Sequence, residues 1–405
     1  MTDYEELNPV EKTLLYTPET PEDPTDKDKN PTDESTSEIH LINEGAYGCI
    51  YHPGIKCNGK LENKRYVTKI QKQNSTTDNE WTISRRIRKK IPFFRNYYAP
   101  ISKQCPVKIA KKYVNDVKKC EVFKKETDIA ISSKEYVSNK IRFLGNTSID
   151  IYFRNIGNTH PPMFVWKQLL QSHTRLLQGV RGLLGADIIH MDIKSGNIMI
   201  EPVQHHPILI DFGISVYWKE LNPSSAFYVY DTYTPWCFEI FVCNYIVRKI
   251  TLKDSGIKKV SEEEIDELIK QFQYGTQSTA KQTTQNNVFS TDVMPVSTLE
   301  QLRKTLKTYL SDFVDQPWKD VYDHIIQTTY TTWDSYALGV LFLRILESFK
   351  EDEPEVFYSV IGMKNGSIAK QYFEILHDTV FVSPNKRVSI EDTLARLKKI
   401  TTNLQ

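Results

Sequence analysis

The sequence predicts an α+β chain, with a small strand-rich lobe ahead of a larger, mainly helical one. Three observations carry this. First, "IHLINEGAYGCIYHPG" and "RYVTKIQK" hold β-branched and aromatic residues broken by Gly and Asn turns, the composition of antiparallel strands. Second, "DNEWTISRRIRKKI" places Trp81, Ile83, Ile87 and Ile91 at roughly helical spacing between Arg and Lys, giving one basic amphipathic helix. Third, from "FVWKQLLQSHTRLLQGVRGLL" onward Leu169, Leu170, Leu176, Leu177, Val180, Leu183 and Leu184 form one apolar face, so the helical lobe is expected to start near residue 163.

A chain of 405 residues, 40% hydrophobic, can bury a sizeable core. Its net charge of +1 averages unlike parts, since residues 1–38 hold twelve acids against three Lys. Pro, Thr, Asp and Glu dominate that segment, which buries too little apolar surface to offset its ordering entropy and reads as a disordered acidic tail. Residues 39–162 form the strand-rich lobe and 163–405 the helical lobe. Within 95–162, "YYAPISKQCPVKI", "CEVF", "DIAISS" and "NKIRFLG" read as short strands, with "KKYVNDVKKC" and "FKKE" as charged connectors. A polar stretch at about 250–325 reads as an insertion holding one helix, "SEEEIDELIKQF", opened by Ser261 and Glu264 in a capping-box arrangement, and a polar loop.

Six Cys form no CxxC pair, so reduced thiols in a cytoplasmic setting are expected. "MTDYEELNPVEKTLLY" lacks the basic start and apolar run of a signal peptide. The longest apolar stretch, "YALGVLFLRIL", is too short to span a bilayer and is broken by Arg344, so no membrane span is expected. The basic runs "RRIRKK" and "KIAKKYVNDVKKCEVFKK" carry no nucleic-acid-binding motif and read as solvated faces.

The densest chemistry lies in "HMDIKSGNIMI", where an apolar strand pattern is interrupted by His190, Asp192, Lys194 and Asn197. Nineteen residues after Asp192, "LIDFGIS" puts Asp211 behind another apolar strand. H-x-D-x-K-x-x-N followed by DFG resembles the catalytic loop and metal-binding motif of the eukaryotic-type serine/threonine protein kinases. Upstream, "INEGAYGCIY" resembles the kinase Gly-rich loop, with Asn43 where the first Gly normally stands, and "YVTK" supplies Lys69 at the place of the ATP-contacting lysine. Downstream, "TYTPWCFEIF" resembles the end of an activation segment, with Thr232 as the Thr that contacts the catalytic Asp and Glu239 in the place of the Glu of APE. "WDSYALGVLF" resembles the start of the family's buried helix, and "SPNKRVSIEDTL" offers Arg387. Taken singly, GxxG is more often a turn and DFG a strand end; order and spacing from about residue 40 to the C-terminus give the resemblance its weight. It is most similar to protein kinases of large cytoplasmic DNA viruses.

The resemblance implies a bilobal fold, a small antiparallel-sheet lobe with one helix over a mainly helical lobe. It implies Asp192 as catalytic base and Lys194 beside the transferring γ-phosphoryl, with Asn197 and Asp211 holding Mg²⁺, or Mn²⁺ in its place. Asn43, Gly45, Ala46, Gly48, Ile50, Lys69 and Glu80 would serve ATP, although Glu80 follows Lys69 by only 11 residues, a short spacing for the family. Asp334 would bind the catalytic-loop backbone, and Glu239 and Arg387 would form a structural ion pair. Met191 replaces the Arg of HRD, which removes the cation that pairs with a phosphorylated activation loop; activity is then expected without phosphorylation there. His190 is expected as a packed support, and His205 and His206 as surface residues in a turn. Protein substrates are implied, with a monomer in the cytoplasm of a host cell or in a virion. Two rivals stand beside this: a small-molecule phosphotransferase sharing H-x-D-x-x-x-x-N, and a pseudokinase scaffold motivated by Asn43, Met191 and the short Lys69 to Glu80 spacing.

Overall fold

The computed structural model describes residues 39–45, 48–221, 236–249, 258–274, 296–352, 356 and 367–402. The expected acidic tail, Ala46, Thr232 and the polar loop of the insertion lie outside them.

The protein is a mixed α+β structure with a five-stranded antiparallel sheet and a helical region. The sheet comprises β1 (His40–Gly45), β2 (Gly48–His52), β3 (Tyr66–Gln71), β4 (Lys103–Lys108) and β5 (Glu135–Arg142), in the order β1-β2-β3-β5-β4. Because successive side chains of a strand alternate faces, the register assigns each residue a side. Asn43 pairs with Ile50, Ile50 with Lys69 and Lys69 with Asn139, so these four stand in one row on one face. Cys49, Tyr51 and Ile70 point the other way, into an apolar cluster with Val107, Val117, Phe123, Ile131 and Tyr136.

That second face corrects two sequence expectations. "CEVF" and "DIAISS" are not strands: Glu121–Lys124 and Asp128–Ser133 are short helices, which with Val114–Val117 cover the sheet. Thr127 caps the last of them, accepting the Ala130 N–H at 3.2 Å. Nor are the thiols all reduced. Cys49 is bonded to Cys120 and Cys57 to Cys105, with Cα separations of 6.1 and 5.8 Å. These pairs are 71 and 48 residues apart, and only strand pairing and the helical cover bring them together. Cys237 and Cys243 remain free and buried.

Helix α1 (Ser75–Lys90) lies against the Lys69 face. Asn74 caps it by accepting the Thr77 N–H at 2.9 Å, and Ile83 and Ile87 turn inward to the main core. The long helices then begin at Ile149, ahead of residue 163: α2 (Ile149–Thr159) and α3 (Pro162–Gly185), whose leucine face is buried as its spacing predicts except at the half-buried Leu184. After α3 come four short strands, β6 (Ile188–Ile189), β7 (Ile198–Ile200), β8 (Pro207–Leu209) and β9 (Val216–Tyr217). β6 pairs with β9 and β7 with β8, so the 190–197 and 210–215 loops emerge side by side.

The rest is helical: α4 (Phe238–Lys249), α5 (Glu262–Tyr274), α6 (Val296–Ser311), α7 (Trp318–Thr328), α8 (Trp333–Asp352), α9 (Ser367–Val380) and α10 (Ile390–Thr402). The 250–325 stretch therefore holds helices α6 and α7 besides the expected α5. Ile265, Leu268, Leu302, Leu306 and Trp318 bury it in the main core. Ser261 caps α5 through the Glu264 N–H at 3.3 Å, but the Glu264 carboxylate goes to Lys258, Tyr245 and Trp318 instead of back to the cap. No helix among the described residues is long and apolar enough to cross a membrane.

Candidate active site

Two loops and one strand supply the site. Lys69 leaves β3 on the face that meets α1, where its Nζ lies 3.0 Å from Glu80 Oε2, so the short spacing still brings the two together. The same nitrogen reaches Asp211 Oδ1 at 3.1 Å. Burial alone would lower the Lys69 ammonium, but the Asp211 and Glu80 carboxylates more than offset it and hold its pKa above the usual value. Burial likewise works against the Asp211 carboxylate, and Lys69 with the Gly213 N–H holds it below the usual carboxylate range. The row on the sheet places Ile50 and Asn43 beyond Lys69 on the same face. Gly48 has no room for a side chain, because a Cβ would stand 2.4 Å from the Ile70 carbonyl oxygen on β3; Gly45 meets nothing closer than 3.5 Å. Glycine at 48 is thus required by strand packing itself.

The second cluster is built by the β7–β8 hairpin. Ile198 pairs with Leu209 and the Ile210 N–H donates to the Asn197 carbonyl at 3.0 Å, so Asn197 and Asp211 are delivered to one end of the hairpin. The Asn197 amide donates to the Asp192 carbonyl at 2.9 Å and to Asp192 Oδ2 at 2.8 Å. Lys194 Nζ lies 3.0 Å from Asp192 Oδ1. With its nitrogen committed, Asn197 presents Oδ1 as a free acceptor, and Asp211 has Oδ2 uncommitted among the described residues. An amide oxygen and one carboxylate are the hard oxygen donors Mg²⁺ takes when substrate phosphates and water complete its octahedron. The residues fit that ion, although no three His, Cys, Asp or Glu side chains converge as ligands among the described residues.

Backbone strain marks both loops. Met191 at φ 67° and Asp211 at φ 60° sit in the left-handed region, at a cost of about 1 to 3 kcal/mol each. What holds Met191 is Asp334 at the start of α8, a buried carboxylate that accepts the His190 and Met191 N–H groups at 2.7 and 3.0 Å. Burial pushes Asp334 upward in pKa, against the pull of His190 and these donors. His190 is wholly buried; its Nδ1 accepts the Asp192 N–H at 3.3 Å, leaving Nε2 to donate to the Ile210 carbonyl at 3.2 Å and tie one loop to the other. The Met191 side chain fills the main apolar core. His205 is exposed and His206 half-buried in the β7–β8 turn.

Glu239 and Arg387 form the expected ion pair behind the site, with Nη2 2.7 Å from Oε2, a second contact between Nη1 and Oε1, and side chains 0% and 2% exposed. Tyr336 lies under the guanidinium at 4.7 Å.

Sequence reasoning missed three positioning groups. Asn79, beside Glu80, donates to the Gly213 and Ser215 carbonyls at 3.0 and 2.9 Å and so fixes α1 to the 210–215 loop. The Ser215 hydroxyl donates to the His190 carbonyl at 3.1 Å, and the Trp236 indole to the Met191 carbonyl at 2.7 Å. The only advance signal was proximity to the motifs. Comparison with protein-family models and with curated proteins returns no match.

Proposed function

We propose that the chain is a bilobal serine/threonine protein kinase that transfers the γ-phosphate of ATP to hydroxyls of protein substrates. The observation that carries the reading is the continuous polar chain Glu80, Lys69, Asp211, set beside the cluster Asp192, Lys194, Asn197 at the end of one hairpin.

Each side chain has a task in that reaction. Lys69, kept charged by two carboxylates, is a cation for the α- and β-phosphates at the Ile50 face of the sheet. Asn197 Oδ1 and Asp211 would hold Mg²⁺, which would supply positive charge against the phosphates. Asp192, oriented by the Asn197 amide, accepts the proton of the substrate hydroxyl as its oxygen bonds to the γ-phosphorus and the bond to the β-phosphate oxygen breaks, releasing ADP. Lys194 is placed to stabilise charge on the transferring group. Asp334 and His190 keep the loop in this strained form, which is preorganisation.

The test is transfer of labelled phosphate from ATP and Mg²⁺ to generic acidic and basic proteins. Asp192→Asn should lower the rate by about 10² to 10⁴ while leaving the melting temperature near that of the parent. Label should appear as phosphoserine or phosphothreonine. Saturable ATP binding without any transfer would move the reading to a nucleotide-binding scaffold, for which Asn43 and Met191 are the sequence grounds.

A further inference from the structure

Behind the Asp192 loop lies an open cavity of about 140 Å³, lined by α2, by residues 193–195 and by one face of α8. A single water needs about 10 to 15 Å³ of such space, so the cavity has room for a carboxylate or phosphate group with water. Its walls are apolar, and its polar groups are Asp150, Arg154, Lys194, Ser195, Arg344 and Ser348. Three cations thus face one carboxylate, and Asp150 already accepts the Ser148 hydroxyl at 2.6 Å.

The arginines are not spent on the protein. Arg344 is partly buried on α8, and its Nη2 has no hydrogen-bond partner among the described residues. Burial lowers its pKa, and Glu347, three residues on along α8, acts on it only through its charge. Arg154 is exposed at the cavity mouth and its guanidinium makes no ion pair among the described residues. A buried guanidinium nitrogen left without an acceptor is unfavourable unless an anion completes it. Lys194 links the cavity to the chemistry, because this lining residue also reaches Asp192 Oδ1 with its Nζ at 3.0 Å. One lysine side chain therefore separates the recess from the base, a distance that an extended peptide covers in about two or three residues at roughly 3.3 Å each.

We propose that this cavity is a substrate subsite that takes an anionic side chain, a carboxylate or a phosphate ester, about two or three residues from the hydroxyl that is phosphorylated. The proposal rests on the kinase reading and gives that enzyme its substrate class: acidic or previously phosphorylated segments of protein. A planar guanidinium fork at the mouth and a second at the wall match either anion in two-pronged geometry.

The experiment uses the full chain and four peptide sets sharing one acceptor Ser, with Ala, Asp, phosphoserine or Arg placed in turn at each flanking position. The expected result is a kcat/KM for Asp or phosphoserine peptides about tenfold or more above that for Ala peptides at one or two positions, with Arg peptides at or below the Ala level. Whether Asp, phosphoserine or both are favoured identifies the anion. Arg154→Glu, an exposed change, should bring the anionic-to-Ala ratio close to one, and Arg344→Gln should lower it too if that variant folds. A ratio near one in the parent, or one unmoved by Arg154→Glu, overturns the subsite while leaving the kinase intact. Absence of transfer to every peptide instead overturns the kinase reading. In that event, fluorescence anisotropy of labelled peptides still decides the cavity: tighter binding of anionic peptides that is lost in Arg154→Glu sustains an anion site, and equal binding ends it.

Discussion

Arg387–Glu239 in the helical region and Lys69–Glu80 beneath the sheet are both buried cation–carboxylate pairs, yet they are built differently. In the first, 148 residues of sequence separate partners that are almost wholly enclosed, and both guanidinium nitrogens facing the carboxylate are engaged. In the second, the chain of charges runs on from Lys69 to Asp211, whose side chain is 40% exposed. One pair is closed at both ends and the other is open at one. A closed pair can only hold segments together, whereas an open one keeps a carboxylate oxygen for something outside the protein.

Arg387→Met probes the closed pair. It leaves Glu239 charged and enclosed, and the expected loss is about 3 to 5 kcal/mol in urea unfolding. Adding Glu239→Leu should return much of that, since no uncompensated charge remains. A loss below about 1 kcal/mol in the single variant would show that water reaches Glu239 and that the two pairs are alike after all.

Lys69→Met probes the open pair and should act mainly on activity. Phosphate transfer is expected to fall about 10² to 10³-fold. The urea midpoint should move less than in Arg387→Met, because Asp211 can turn to solvent and burial already pushes the Glu80 carboxyl towards its neutral form. Equal destabilisation by the two variants would erase the distinction.

Acid should separate the two regions further. His173 is buried in α3, stacked on Phe342 with ring centroids 4.3 Å apart, and its Nδ1 is 2.9 Å from the Tyr372 hydroxyl. Its Nε2 has no hydrogen-bond partner among the described residues, and burial lowers its pKa to about 3 from 6.5. The folded state resists protonation there while the unfolded chain accepts it. The stabilisation is therefore complete above about pH 6.5 and is lost as pH falls towards 3, with a slope of up to about 1.4 kcal/mol per pH unit. His206 is depressed as well, to about 4, so the measurement is the difference between parent and His173→Phe melting curves across that window. A variant with an unchanged slope would remove His173 from the account.

How much was legible in the sequence follows from the range over which each interaction acts. Local periodicity exposed α3, and cap chemistry exposed the start of α5 at Ser261, because both are decided within a few residues. Motif spacing located Asn197 and Asp211 at one end of a short hairpin, with Asp192 in the loop that leads into it. The helices at Glu121–Lys124 and Asp128–Ser133 were misread because four to six residues with apolar Phe123 and Ile131 satisfy either period. The disulfides were invisible because strand register, unreadable from spacing, decides which sulfurs meet. Asn79 was missed for a related reason: its two acceptors, 134 and 136 residues away, are backbone carbonyls that leave no residue-type signature.

The smallest expected effect sharpens the contrast most finely, because α1 is the element that joins the open pair to the second loop. Its cap, Asn74, accepts the Thr77 N–H at 2.9 Å and the Thr77 hydroxyl at 3.0 Å. Asn74→Ala should lower stability by about 1 kcal/mol through the unsatisfied first-turn N–H. If α1 is a rigid lever, carrying Glu80 towards Lys69 and Asn79 towards Gly213 and Ser215, loosening its first turn should also weaken Lys69's hold on nucleotide, so KM for ATP rises while kcat with saturating ATP changes little. If instead the Asn79 bonds to the 210–215 loop fix α1 from its middle, stability falls by the same amount with no change in KM. Urea melts and ATP titrations on one variant tell these apart, and a rise in KM that Asn74→Asp, which retains the capping oxygen, restores would place the open pair's geometry under control of the helix start.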